Sequence, residues 1–315
     1  MTLHPRRRRV RSAALVALVM LLAVTGCVDG REPSRQIRIA TGSPTAVYYA
    51  VGTAFAHVIE QELPGTDASV LSTAASAENV QLINRGAAEI GFTQADVLII
   101  EDQSVTGLVA LARVYDDLLH LVVPADSPIR TLTDLRGKRV SVGARGSGTV
   151  VTVGRLLTVA GLFGPGVLDR RELSLDDSVR ALNSGEIDAF FFSGGLPVAG
   201  IQQLTKLGAF RIVDLSRWAA DMRSRYSDVY VVRDVPTSAY QMPAVATIAV
   251  PNLLVVSAEM DDDLAYDLTR LLLERRDALA AAHPAAERLD LRAAIATLPV
   301  PLHTGAARYY RSVKP

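Results

Sequence analysis

From residue 36 onward, short β-branched runs alternate with longer stretches in which apolar residues recur every three or four positions. "QIRIA" (36–40) predicts a buried strand, and "VYYAVGTAFAHVIEQEL" (47–63) predicts a helix that stops before Pro64-Gly65. "DASVLST" (67–73) returns to strand, "ENVQLINRG" (78–86) is a helix closed by glycine, "AEIGFTQ" (88–94) is a strand, and "ADVLIIEDQ" predicts a helix. After the apolar run "GLVALARVYDDLLHLVVP" (107–124) the alternation restarts. "KRVSVG" leads into a helix from about 148 to 162, then come "DRRELSL", "DDSVRALNSG", "IDAFFFS", "LPVAGIQQLTKLG" and "FRIVDL". A long helix is expected at about 260–282. Repeated strand–helix alternation predicts a mostly parallel sheet covered by helices, and the restart near Pro124 predicts two such α/β lobes.

The first residues depart from this pattern. "MTLHPRRRRVRSAALVALVMLLAVTGC" has a basic head (Arg6 to Arg9, Arg11) and an uncharged apolar run from Ala13 to Val24, the form of a secretory signal. Small residues directly before Cys27 are similar to the lipobox of bacterial lipoproteins, which implies cleavage after residue 26 and acylation of Cys27. The alternative is an ordinary signal peptide with a leftover thiol. Cys27 is the single cysteine, so no internal disulfide can form. Residues 27–36, polar with Gly and Pro, are expected to tether the lipid to the body.

Charge narrows the function classes. Losing residues 1–26 removes five arginines and no acids, leaving 28 basic against 33 acidic residues in a body of 289. That mild acidity, with no basic aromatic-laced patch, argues against a nucleic-acid partner. An exported body also argues against cytosolic ATP chemistry.

Four predicted strand-to-helix turns are built alike. They are "ATGSPTAVYY" (40–49), "STAASAEN" (72–79), "GFTQAD" (91–96) and "GARGSGTV" (143–150). Each carries hydroxyls or amides among small residues, and each opens a helix whose first N–H groups are unpaired. Singly, each reads as a helix cap. Converging at the carboxyl ends of strands, four such turns make a ligand site, with Gly146 and Gly148 letting backbone approach the ligand and Ser147 and Thr149 adding donors. A small anion is the expected occupant.

Other chemistries lack their motifs. No Lys-Ser/Thr follows these glycines, "GSGTVV" lacks the third glycine of a dinucleotide fingerprint, and no G-x-S-x-G elbow surrounds Ser43, Ser147 or Ser193. His4, His57, His120, His283 and His303 show no metal-ligand spacing, so neither metal nor cofactor is expected. Asp116-Asp117 and Asp261 to Asp263 read as acidic runs, the second opening the long helix. Trp218 and Phe190 to Phe192 read as core, and Tyr48-Tyr49 stays open between core and, at a helix start, one ring turned to the cleft.

On "TGSPTAVYYAVG", "STAASAENVQLINRGAAEIGFTQAD", "IRTLTDLRGKRVSVGARGSGT", "IDAFFFSGGLPVAGIQQL" and "LPVPLHTGAARYY", the chain resembles the TAXI family, the solute-binding subunits of tripartite ATP-independent periplasmic (TRAP) transporters. The resemblance implies a two-lobed type II periplasmic-binding-protein fold, with lobe 1 at 37–123 plus 244–315 and lobe 2 at 124–243. It implies a non-enzymatic, lipid-anchored extracytoplasmic protein that captures a small carboxylate such as glutamate, glutamine or 2-oxoglutarate for a TRAP permease. The implied ligand-binding residues are Ser43, Thr45 and Tyr48, Ser76 and Asn79, Gln94, then Ser147, Gly148 and Thr149, with Gly194 and Pro197 closing the cleft. Pro44 and the alanines of the first two turns depart from the family's more glycine-rich pattern and put the individual ligand in doubt. Three other readings remain: a transferase of the same fold, a ligand-presenting subunit for a membrane receptor, and a thiamine-precursor or sulfonate binder for an ATP-driven importer.

Overall fold

The structure, a computed structural model, describes residues 35–100, 103–104, 106–206 and 210–314. The signal peptide, Cys27 and all of the expected tether before Arg35 lie outside the described residues. Residues 36–315 form one compact unit.

Twelve strands are described: β1 (Arg35–Ala40), β2 (Thr66–Leu71), β3 (Ile90–Gln94), β4 (Ile99–Ile100), β5 (Gln103–Ser104), β6 (Leu108–Pro124), β7 (Arg139–Ser141), β8 (Asp169–Arg171), β9 (Ala189–Gly194), β10 (Phe210–Ile212), β11 (Val231–Val235) and β12 (Val245–Ser257). The helices that matter for the site are α1 (Val47–Glu62), α2 (Ser76–Asn84), α3 (Gly148–Val159), α4 (Leu175–Asn183) and α5 (Ala199–Lys206). Two more, α6 (Asp262–Glu274) and α7 (Arg276–Ala282), occupy the segment expected to be one long helix.

Ten strands form one mixed sheet in the order β2-β1-β3-β12-β6-β9-β7-β8, with β10 on β6 and β11 on β12. The predicted alternation is realised at the two ends, where β1 runs parallel to β3 and β7 runs parallel to β8 and β9. The middle is antiparallel: β12 pairs with β3 and β6, and β6 with β9. β6, seventeen residues long, changes neighbours along its length, and Leu118 pairs with both Ala249 of β12 and Gly194 of β9. β6 and β12 therefore run from one parallel end to the other.

Helices bury apolar faces against both ends, and one cluster joins Ala40, Val80 and Ile83 to Val140 and Val153. Phe55 and Ile59 of α1, Ile39, Ile90 and Phe92 of the sheet, and Leu268 and Leu272 of α6 are fully buried at one end. Val140, Val153, Leu156, Leu157 and Phe191 do the same at the other. Each such side chain contributes about 1.5–3 kcal/mol through removal from water.

Two helix expectations fail for local reasons. "ADVLIIEDQ" is a 3₁₀ turn at Ala95–Leu98 followed by the β4–β5 ribbon. The β-branched Ile99 and Ile100 favour strand, and the Asp96 side chain is drawn off to Thr152 at 2.6 Å. The long C-terminal helix breaks at Arg275, whose φ of −103° ends α6 before α7 begins. Asp261 caps α6, its side chain accepting from Leu264 N–H, as the acidic run suggests. Among the described residues, no helix is long and apolar enough to cross a membrane.

Candidate functional site

A cavity of about 260 Å³ opens where the turns after β1, β2, β3 and β7 meet the middle of β6 and β9. The first turn contributes Ser43, Thr45 and Tyr48, the second Ser76, the third Gln94 and the fourth Ser147, Gly148 and Thr149. Gly194 and Pro197 line it from the end of β9. Asn79 is the exception among the expected residues. It is fully buried behind the wall, donating from Nδ2 to the carbonyls of Thr41 (2.6 Å) and Phe92 (2.8 Å) and accepting from the Thr73 hydroxyl (2.6 Å). It pins the second turn to β1 and β3, and it is a structural residue.

The rim turns are built by capping and by tight backbone. Ser147 caps α3, accepting from Val150 N–H at 3.3 Å. Gly143 takes φ 100°, and a Cβ there would lie 2.7 Å from Thr149 Cβ, so glycine is required. The start of α2 is satisfied from within the protein: Ala77 and Glu78 N–H both donate to the Gly146 carbonyl, at 3.1 and 3.3 Å. The second and fourth turns are thereby fastened to each other across the cavity mouth. Thr45 adds a contact from the first turn to Asp176 of α4 at 3.4 Å.

The floor comes from the long strands, and sequence reading missed it. Strand alternation puts Tyr115 and Asp117 of β6 on the same face, and both line the cavity. Asp116, pointing the other way, pairs with Arg113 at 2.5 Å and Arg233 at 3.5 Å. β12 has a register shift at Asn252/Leu253, opposite Tyr115, and Asn252 takes a hydrogen bond from the Tyr48 hydroxyl. Gln94 ties the pieces together. Its Nε2 donates to Asp117 Oδ2 (3.1 Å) and to Ser193 Oγ of β9, and its N–H donates to Ser76 Oγ (3.2 Å). Ser193 N–H donates to Thr149 Oγ1 at 3.2 Å. Phe192, expected in the core, is only partly buried: it packs against the cluster of Phe190 on the same strand face and also lines the cavity.

Among the described residues no lysine or arginine lines the cavity, and Asp117 is its one acid. Burial pushes the Asp117 carboxyl up to about 7, helped by the charges of Asp116 and Asp96 and opposed by hydrogen bonds from Asn252 and Gln94. His283 also lines the wall, its Nδ1 accepting from Ala285 N–H, and burial holds it below its usual range. Two buried polar atoms on the wall have no partner: Gln94 Oε1 and the Tyr115 hydroxyl. No cluster of three or more His, Cys, Asp or Glu suited to a metal occurs among the described residues.

The signal for Asp117 was present in the sequence: an acid within a largely apolar run, two positions from an aromatic. Reading Asp116-Asp117 as an acidic run hid it.

Residues 39–313 match the model of the NMT1-like family. The fold is similar to the aliphatic sulphonate binding protein SsuA of Escherichia coli, with a TM-score of 0.52 at 16% identity, covering 89% of this chain and 84% of that one. It is also similar to the alkanesulfonate-binding protein SsuA of Xanthomonas axonopodis pv. citri bound to MOPS, with a TM-score of 0.50 at 17% identity over 90% and 86% of the two chains. A candidate L-cystine ABC transporter protein of Listeria monocytogenes gives a TM-score of 0.53 at 13% identity, over 80% and 95%. The α/β periplasmic-binding-protein fold stands. The assignment to TAXI subunits of TRAP transporters does not: residues 39–313 match the NMT1-like family instead.

Proposed function

The chain belongs to the NMT1-like family, and we propose that it is an extracytoplasmic solute-binding protein serving an ATP-driven importer. The observation that carries this reading is the cavity itself. It is walled by strand-to-helix turns from both parallel ends of the sheet and floored by β6, which together with β12 runs between those ends. Among the described residues no nucleophile–base pair faces the cavity, and its polar groups are spent on each other or left for a ligand, which suits a site that binds. The two ends act as the two lobes expected at 37–123 plus 244–315 and at 124–243, with β6 and β12 as the joint. The contacts from Gly146 to α2 and from Thr45 to Asp176 are those a closed form would make and an open form would break. Acylated Cys27 would hold the protein at the outer face of the membrane, where captured solute meets the importer.

The test is ligand-dependent stabilisation of the purified full chain. A solute at about 100 times its dissociation constant adds roughly 2.7 kcal/mol. A panel of sulfonates, cystine, thiamine precursors and small amines should contain a stabilising member. Ala144→Trp, which fills the cavity, should abolish the effect. A stabiliser that binds this filled variant equally well sinks the proposal.

A further inference from the structure

Structural neighbours include sulfonate-binding proteins and one bound to ATP, all anionic ligands, and the turns of this chain suggest an anion. The cavity floor points elsewhere. A sulfonate or carboxylate placed on it would meet the Asp117 carboxylate, and no described lysine or arginine lines the cavity to offset it, the nearby guanidinium groups being set against Asp116 and Asp96. Two of the helix starts that would receive an anion are already engaged, while that of α1, after Ala46, has no side-chain cap. Gly146 fills the start of α2, and Ser147 Oγ takes Val150 N–H of α3. Gln94 Oε1, itself an acceptor, is packed against Gly148 at the first position of α3.

What the floor lacks is a donor from outside. Asp117 accepts only from neutral amides, those of Gln94 and Asn252, and the Gln94 bond fixes its amide so that Oε1 is left as an acceptor with no partner. The Tyr115 hydroxyl, 3% exposed, is also without a partner and lies two positions from Asp117 on the same strand face. Three acceptor-capable groups thus face one small space. Around them the wall is apolar and partly aromatic, with Phe192, Leu173, Leu175, Val198 and the rings of Tyr48 and Tyr115. Rings of this kind attract a cation through their faces as well as covering an aliphatic body.

We infer that the solute is a small organic cation, a protonated amine or amidine on a compact apolar body, whose nitrogen donates to Asp117, Gln94 Oε1 and the Tyr115 hydroxyl. This rests on the solute-binding reading and names the class of solute. The burial that keeps Asp117 partly protonated near neutrality is what a bound cation relieves.

The experiment compares shape-matched probes on the purified full chain at about pH 8, where Asp117 is ionised. Butylamine, benzylamine and benzamidine are set against butanesulfonate, benzoate and benzenesulfonate, with binding read by calorimetry and by melting temperature. One or more of the amines should bind and the anions should not. Asp117→Asn, an isostere that removes a costly buried charge and therefore keeps the fold, should weaken amine binding by at least about tenfold. Anions that bind while amines do not would overturn the cationic class and leave the solute-binding reading standing. Amines that bind Asp117→Asn as tightly as the parent would overturn the role of Asp117. Binding of neither class would overturn the cationic class, while the solute-binding reading stands or falls on the wider panel with cystine and thiamine precursors.

Discussion

Two buried carboxylates, twenty-one positions apart in sequence, are treated in opposite ways. Asp96, at the end of β3, is fully buried beside α3. Its Oδ2 accepts from the Thr152 hydroxyl at 2.6 Å and the Tyr230 hydroxyl at 3.0 Å. Arg155 reaches over it, donating to the Asp96 carbonyl (2.8 Å), the Tyr230 hydroxyl (3.0 Å) and the Ile99 carbonyl (2.6 Å). Asp117 has amides for company and the cavity in front of it. Burial raises both carboxyls, but at Asp96 the hydroxyls and the guanidinium pull back. Asp96 Oδ1 has no partner of its own, so the contrast lies in access: Asp96 is closed off beneath Thr152, Tyr230 and Arg155, whereas Asp117 faces the cavity, where a solute can reach it.

The largest expected effect is on the structural side. Arg155→Ala removes the cation beside Asp96 and leaves the Asp96 and Ile99 carbonyls short of a donor. The loss is on the order of 3 kcal/mol, a fall in melting temperature of roughly 5–10 °C. Thermal unfolding of the apo protein reads it directly. A change under about 1 kcal/mol would mean the cluster is ornamental, and the contrast with Asp117 would collapse.

Next comes the pH response of Asp117. The carboxyl ionises near its ordinary value of 3.8 when unfolded and at about 7 when folded. Between those values the native state holds the extra proton, so stability of the apo protein falls as pH rises through that window. The slope is at most roughly 1.4 kcal/mol per pH unit from this group, and it ends above about 7. Asp117→Asn should flatten this part of the profile and gain stability at pH 8. A parent and variant with parallel profiles from pH 4 to 8 would show that Asp117 is not held proton-bound.

Gly148→Ala tests the seam between rim and floor. A Cβ at this position would collide with Gln94 Oε1 and come within 2.8 Å of Ser76 Oγ. Gln94 cannot swing away freely, because its Nε2 is shared between Asp117 and Ser193. We expect a cost of about 1–3 kcal/mol, with ligand binding lost together with stability. Stability lost without binding would separate the two regions.

This seam also marks what the sequence made legible. The rim is local: a strand, a hydroxyl-bearing turn and a helix follow one another directly along the chain, so Ser43, Thr45, Ser147, Gly148 and Thr149 could be picked out by type and spacing. The parallel ends of the sheet follow from the same short-range alternation. The floor is not local. Asp117, Tyr115 and Asn252 meet because β6 and β12 lie side by side across more than a hundred residues of chain. Residues 107–124 gave hydrophobicity without a helix or strand assignment, and β12 was not anticipated at all. Asn79 misled for the complementary reason: its amide suits a ligand or a backbone carbonyl equally, and only the packing of β1 against β3 decides which it meets.

The smallest effect belongs to the rim and closes the comparison from its other side. Ser147 serves α3 twice over, its hydroxyl donating to the Ala144 carbonyl at 2.7 Å and accepting from Val150 N–H. Ser147→Ala should cost about 1 kcal/mol as a lost cap. If the helix start were the ligand's anchor, the same change would also weaken binding of the true solute well beyond that figure, because the exposed turn would lose its shape as well as a donor. If the floor is the anchor, affinity should move by less than about threefold, under ~0.7 kcal/mol, while Asp117→Asn moves it tenfold or more. Measuring both variants against one solute ranks the two regions on a single scale. A larger loss from Ser147→Ala than from Asp117→Asn would return the recognition to the turns and make the buried acid a bystander.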